Sequence, residues 1–223
     1  LRAGPPGAAR RRDEEGVMRV LIACEYSGVE RDAFIAAGHD AMSCDLLPTE
    51  APGPHYQGDV RDLMRERWDL VIAHPPCTYL SNSGARWLYE NQLRWQDMIL
   101  GAEFFRAMFS FDAPAIAVEN PIQHGWARRV HGQGGPTQTV QPWMFGHPES
   151  KAICLWLRGL PPLTATSDAR AVMATMPKRE THRVHFASPG ADRWKVRSTS
   201  YAGIAQAMAE QWGSVAEALG GAA

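Results

Sequence analysis

Met18-Arg19-Val20-Leu21-Ile22-Ala23-Cys24, followed at once by Glu25-Tyr26-Ser27-Gly28, is the stretch on which the fold turns. A short apolar run ending in a small, glycine-bearing loop has the profile of a buried parallel strand that turns into a helix. Working outward, Val29 to Ala37 reads as that helix, closed by Gly38, and Asp40 to Cys44 reads as a second strand ending at Asp45. The alternation continues through a short segment at His55 to Gly58, a helix around Asp62 to Arg67, and a strand from Asp69 to Ala73 that Pro75-Pro76 stops. Asn91 to Phe109 carries Leu93, Met98, Ile99, Ala102, Phe105, Met108 and Phe109 near helical spacing, and Ala115 to Val118 is a fifth strand. The pattern loosens from Pro121 to Pro136 and recovers as a strand at Ala152 to Leu157. A closing helix over Ala202 to Leu219 puts Ile204, Met208 and Trp212 on one face. Strands alternating with helices predict an α/β domain, a mostly parallel sheet flanked by helices.

A length of 223 residues suits one domain, expected over residues 18–223, with the Gly-, Pro-, Ala- and Arg-rich stretch 1–17 as a disordered extension. No apolar run approaches the roughly 18 residues of a membrane span, so no membrane partner is expected. Cys24, Cys44, Cys77 and Cys154 are far apart with no C-x-x-C pair, which argues against a metal site or a disulfide scaffold and suits a reducing cytoplasm. The formal net charge of -1 gives no global pull toward a polyanion, so contact with nucleic acid has to come from a local basic patch. The stretch Thr164 to Arg197 offers one, since Lys178, Arg179, Arg183, Arg193, Lys195 and Arg197 outnumber Glu180 and Asp192.

Ligands of open α/β sheets bind outside the carboxyl ends of the strands, which directs attention to the residues just after each strand. These are Glu25, Tyr26, Ser27 and Gly28; Asp45; Asp59; Pro75, Pro76 and Cys77; and Glu119 with Asn120. The loop 25–28 opens a helix whose first amides are unpaired donors, and Gly28 would admit a ligand close to the backbone. Asp45, about 20 residues after that loop, is placed to hold a ribose diol, although an acidic strand end is equally an ordinary solvated turn. Asp59 carries the same reading more weakly, because Gly58-Asp59 is also a common turn pair.

The sequence becomes specific at Ala73-His74-Pro75-Pro76-Cys77-Thr78-Tyr79-Leu80-Ser81-Asn82-Ser83-Gly84. Two prolines stiffen the chain and set a thiol beyond the strand, where its thiolate would be a strong nucleophile. Val118-Glu119-Asn120-Pro121 brings a carboxylate and an amide out of a second strand. A protonated Glu119 could donate to the ring nitrogen of cytosine and accept from its exocyclic amine. Attack of Cys77 on carbon 6 would then make carbon 5 nucleophilic, a methyl group would pass to it, and loss of the carbon 5 proton would eliminate the enzyme. His74 reads equally as a pocket wall or a satisfied loop histidine. The tryptophans read mostly as packing, with Trp126 and Trp143 as candidates for the edge of a base pocket.

On these motifs the chain resembles the DNA cytosine-5 methyltransferase family, in particular its short phage or bacterial members, over most of Met18 to Trp212. Ile22 to Val29 is similar to the family's cofactor loop, Pro75-Pro76-Cys77 with Ser81 and Gly84 to its nucleophile motif, and Glu119-Asn120 to its glutamate motif. Phe145-Gly146-His147-Pro148-Glu149-Ser150-Lys151 is similar to a later segment that usually carries Gln and Arg where Glu149 and Lys151 stand. Lysine keeps the charge and loses the bidentate fork.

The resemblance implies a Rossmann-like methyltransferase fold and S-adenosylmethionine as cofactor, bound by Glu25, Tyr26, Ser27, Gly28, Asp45, Asp59 and Pro75. It further implies catalysis by Cys77, Glu119 and Lys151 on cytosine in double- or single-stranded DNA, by a monomer in a bacterial or phage-infected cell. Pro76, Ser81, Asn120, Arg179, Arg183, Lys195 and Arg197 would contact the substrate. About 40 residues separate Leu157 from the last helix, too few for a full target-recognition domain, so Thr164 to Arg197 is expected to be a reduced recognition segment of low or short sequence specificity. Two other readings stay open: an amino-methyltransferase of DNA adenine or cytosine, and a non-catalytic cofactor-binding partner.

Overall fold

The computed structural model describes residues 16–187, 190, 197–198 and 200–220, the last seven by their backbone alone. The proposed extension 1–17 therefore lies almost wholly outside the described residues, as does Lys195. Strand β1 (Arg19–Ala23) leads into helix α1 (Val29–Ala36), then β2 (Asp40–Asp45), β3 (His55–Gln57) and β4 (Leu70–Ala73). Helices α2 (Trp87–Glu90) and α3 (Leu93–Ala107) precede β5 (Ala115–Asn120), followed by α4 (Gly125–His131), β6 (Gln138–Val140) and β7 (Ile153–Arg158). Three single turns, α5 (Arg170–Met173), α6 (Lys178–Thr181) and α7 (Arg183–Phe186), cross the basic stretch before the closing helix α8 (Ala202–Gly220).

The seven strands form one sheet in the order β3-β2-β1-β4-β5-β7-β6. The pairs from β3 to β5 are parallel, and β7 runs antiparallel to β5 and to β6. This is the Rossmann-like methyltransferase architecture expected from the sequence. Alternate residues feed two cores. Val20, Ile22, Leu70, Ile72, Ala115 and Ala117 pack with Phe34 of α1 and with Ile204, Met208 and Trp212 of α8. Leu21, Ala23, Val71, Ala73, Ile116 and Val118 pack with Met98, Ala102 and Phe105 of α3 and with Trp68 and Trp156. Strands buried on both faces need apolar residues at every position, which is why β1 and β4 read as unbroken hydrophobic runs.

The structure differs from the sequence reading in four places. The helix expected around Asp62 to Arg67 is a single 3-10 turn at Val60–Leu63, where Asp59 accepts from the Arg61 amide; so short a run cannot repay helix nucleation. Helix α4 forms in the stretch that looked irregular, and strand β6 forms just beyond it. The start of α4 is capped by His124, which accepts from the Ala127 amide, instead of the Ser, Thr or Asp that marks a helix start in sequence, and Gly132 at φ 71° ends it. Cys24, expected inside the first strand, stands one residue beyond it at φ 58°, while Cys44 and Cys154 are buried as expected. Among the described residues no helix is long and apolar enough to cross a membrane.

Candidate active site

The chain leaves β1 for β2 and β3 on one side and returns to β4 and β5 on the other, so the strand order reverses between β1 and β4. A crevice at such a switch point is where open α/β sheets bind ligands. Here the loop after β1 meets the turn after β4, because the His74 amide donates to the Ala23 carbonyl at 2.9 Å and prolongs the β1–β4 ladder.

Glu25 turns inward and is buried. Its Oε1 accepts from the Gly28 amide at 2.6 Å and from the Ser27 hydroxyl, while Ser27 Oγ accepts from the Val29 amide at 3.2 Å. The first donors of α1 are thus satisfied by the loop's own side chains. Gly28 serves that turn, at φ +83°, and the position its Cβ would occupy lies 2.5 Å from Arg31 Nη2. The space expected beside Gly28 for a ligand is filled by that arginine. Arg31, fully buried, donates to Asp32, Ser43, Thr49 and the carbonyls of Ala51 and Pro52, so it staples α1 to the loop after β2.

Because β4 and β5 pair in register, with Ala73 beside Val118, the next residues of both strands emerge together. Asn120 locks them: its Nδ2 donates to the Pro75 carbonyl at 2.8 Å, and its Oδ1 accepts from Gln123 Nε2 at 3.1 Å. The Cys77 carbonyl accepts from the amides of Leu80 and Ser81 at 3.0 and 2.9 Å, so the nucleophile candidate heads a tight turn. That turn is held to the segment after β5 by Asn82 donating to Ile122 O at 2.8 Å and His124 donating to Leu80 O at 3.0 Å. Pro76 is exposed at its rim and Ser81 is buried beneath, its hydroxyl 2.8 Å from that of Ser83.

Electrostatics tie these groups into one cluster. Burial and then the Glu119 carboxylate push the Cys77 thiol up, while Arg197 and Lys151 pull it down. His74 sits between carboxylates, with Nδ1 3.4 Å from Glu119 Oε2 and Nε2 3.6 Å from Glu30 Oε1. Burial would hold the imidazole neutral, but Glu30, Glu119 and Glu25 prevail and raise it to about 9. Glu119 in turn is held below the usual carboxylate range: burial opposes this, and the hydrogen bond and charge of His74, with Lys151, overcome it. Glu25 is pushed up by burial and by neighbouring Glu30. Lys151, just before β7, donates to the Arg197 carbonyl at 2.9 Å and lies 5.4 Å from the Tyr201 ring centre.

The other sequence candidates divide. Asp45 ends β2 beside the β1 loop, half-buried, with Oδ1 accepting from the Leu47 amide at 2.9 Å. Tyr26, half-buried, accepts through its carbonyl from Glu50 N at 2.8 Å. Asp59 is occupied as the cap of the 3-10 turn and is paired with Arg61, which lowers its pKa. Pro75 is buried with its carbonyl already taken by Asn120. In the basic stretch Arg179 is exposed on α6, but Arg183 grips Glu149 with both arms, at 2.7 and 3.2 Å. Sequence reasoning gave no role to Glu30 or Arg31 and left His74 undecided. An inward-facing Glu and Arg at the start of an amphipathic helix look like surface residues until the sheet closes over them. The signal that existed was the His immediately before Pro75-Pro76.

Among the described residues no group of three or more His, Cys, Asp or Glu could hold a metal ion. No family model matches the chain, and no curated protein does. Among solved structures the chain is similar to one described as a DNA modification methyltransferase encoded within a prophage (E. coli), at 16% identity and a TM-score of 0.40, over 62% of this chain and 45% of that one. The chain therefore spans less than half the length of that structure. What fold and site define on their own is a Rossmann-like α/β domain whose topological switch point brings together a thiol, a carboxylate and a histidine.

Proposed function

We propose that this protein is an S-adenosylmethionine-dependent DNA methyltransferase acting on carbon 5 of cytosine, with Cys77 as nucleophile and Glu119 as its acid partner. The observation that carries the reading is the β4–β5 register, locked by Asn120 on Pro75, which sets the thiol turn and the carboxylate side by side at the sheet's carboxyl end.

Asp45 has the chemistry to accept both hydroxyls of the cofactor's ribose, and the backbone of Glu25 to Ser27 lies beside it. Gly28 and Asp59 are committed within the protein and are not needed for this. Bound there, the cofactor supplies an electrophilic methyl group on a sulfonium. Cys77 gives its thiol proton to solvent base and bonds through sulfur to carbon 6 of a cytosine taken out of its stack, the electron pair of the carbon 5–carbon 6 double bond moving onto carbon 5. Glu119 is ionised at rest, so the proton for the ring nitrogen reaches it from His74, whose Nδ1 stands 3.4 Å away. Asn120 keeps Glu119 aligned with the thiol turn. Once carbon 5 is methylated, loss of its proton to solvent base restores the ring double bond as the sulfur–carbon bond breaks, and the ring-nitrogen proton returns through Glu119 to His74. Arg197 and Lys151 offset part of the burial and of the Glu119 charge that hold the thiol protonated. Arg179 and the remaining basic residues of 164–197 supply phosphate contacts with little base readout.

Mass spectrometry of nucleosides from DNA of cells expressing the wild type or Cys77→Ala tests this. 5-Methylcytosine is expected with the wild type alone. N4-Methylcytosine or N6-methyladenine, retained in Cys77→Ala, would mean direct transfer without a thiol and would overturn the reading.

A further inference from the structure

Beyond the thiol turn the chain presents aromatic side chains to solvent. Tyr89 is 72% exposed and Trp126 41%, far above what buried packing leaves. Three rings from three helices form one group: Trp126 Nε1 donates to the Tyr89 hydroxyl at 3.0 Å, Tyr89 and Trp95 meet edge-on at 6.1 Å, and Trp95 and Trp126 do so at 5.5 Å. Ile122, 55% exposed, stands shortly before Trp126 in the chain. A solvent-facing cluster of this kind costs apolar hydration that a packed position would avoid, which marks it as a contact surface.

Its surroundings are cationic. Arg129 lies 4.8 Å over the Trp126 ring, and Arg94 lies 4.8 Å over Tyr79 while donating to the Thr78 carbonyl at 3.0 Å. Across 85–97 and 121–135 four arginines, Arg86, Arg94, Arg128 and Arg129, face two acids, Glu90 and Asp97. The patch is also joined to the candidate site. Arg94 and Tyr79 belong to or hold the turn that Cys77 heads, and His124, which caps α4 one residue before Gly125 and Trp126, lies 2.9 Å through Nε2 from the Tyr79 carbonyl.

We propose that Tyr89, Trp95 and Trp126, with Arg129 and Arg94, form a stacking platform for unpaired nucleotides flanking the target base, so that the enzyme works on single-stranded DNA or on a locally opened duplex. The inference rests on the nucleic-acid reading above and names its substrate form. Aromatic faces accept any base, and guanidinium groups beside them take the phosphates, a combination suited to single strands. Stacked bases in a closed duplex offer no free face to such rings. A platform next to the thiol turn would hold the flanking nucleotides and spare the cost of extracting the target from a helix.

The test is fluorescence anisotropy of a fluorescein-labelled deoxythymidine 12-mer and of a labelled duplex of equal length, with no cofactor present. The wild type is expected to prefer the single strand. Tyr89→Ala combined with Trp126→Ala should weaken it on the order of tenfold or more and leave duplex binding nearly unchanged. Trp126→Phe, which keeps an aromatic face and the fold, should retain most of the affinity, and Arg129→Gln should flatten the salt dependence. Equal weakening on both DNA forms, or single-strand affinity untouched by loss of both rings, would overturn the platform. Because no turnover is involved, an intact single-strand preference in a protein that methylates nothing would overturn the methyltransferase reading and leave the platform standing.

Discussion

His74 Nδ1 lies 3.4 Å from Glu119 Oε2 across the adjoining ends of β4 and β5. The pair joins the two motifs that sequence reading treats separately, and its reach continues to Glu30 on α1. The site is thus an ion cluster built where three elements meet, and its ionisation is a collective property.

That cluster sets a pH window. His74 is raised from its ordinary 6.5 to about 9, so its stabilisation is complete below pH 6.5 and drains away as pH rises through 9. Glu119 is lowered from 4.5, so its contribution is complete above that value and is lost as pH falls through the folded one. Thermal melting against pH should therefore peak between these limits. His74→Gln should flatten the alkaline limb, a loss on the order of 3 kcal/mol at most near neutrality. A wild-type melting point that stays level from pH 7 to 10 would show the histidine to be unpaired.

Lys151 acts on Cys77 through space. Its charge, with that of Arg197, opposes the upward push of burial and of Glu119 on the thiol. Lys151→Met should raise the pH midpoint for alkylation of Cys77 by iodoacetamide, followed by peptide mass spectrometry. An unchanged or lower midpoint would mean that the lysine is too well solvated to matter.

Covalent chemistry can be caught directly. DNA carrying 5-fluorocytosine lacks the carbon 5 proton whose departure frees the enzyme, so wild type with S-adenosylmethionine should accumulate a protein–DNA adduct stable to denaturing gels. Cys77→Ser should form none. An adduct that survives that substitution would assign the nucleophile elsewhere.

Asn120 is 1% exposed, and its amide bonds Pro75 on one side and Gln123 on the other. Asn120→Ala leaves a buried carbonyl unpaired, a cost of about 1–3 kcal/mol, and unlatches the thiol turn from Glu119. We expect kcat to fall roughly a hundredfold with KM little changed, since misplacement by an ångström is felt in the reaction more than in binding. A purely structural residue would lower the melting point and leave kcat of the folded fraction intact.

Gly203 shows how the closing helix is seated. A Cβ there would lie 2.1 Å from the Phe145 carbonyl, and the Gly203 amide donates to His147 Nε2 at 2.9 Å. Gly203→Ala should destabilise by about 1–3 kcal/mol in denaturant titration, because the obstacle is backbone. The late motif Phe145 to Lys151 and the start of the closing helix thus meet in space.

Residue order alone was enough for the alternation of strands and helices, the apolar runs of β1 and β4, and the placement of Cys77 beyond the end of β4 and of Asp45 and Glu119 at the carboxyl ends of β2 and β5. Those features are local: side-chain periodicity, proline stops and chain polarity are written within ten or so residues of each other. Only the tertiary structure decided that Glu30 and Arg31 turn inward, that β7 runs antiparallel, that Gly28 makes room for an arginine, and that His74 charges Glu119. Those outcomes depend on which elements become neighbours, and the field at a buried group is the sum over residues far apart in the chain, here from positions 25, 30, 74, 119 and 151.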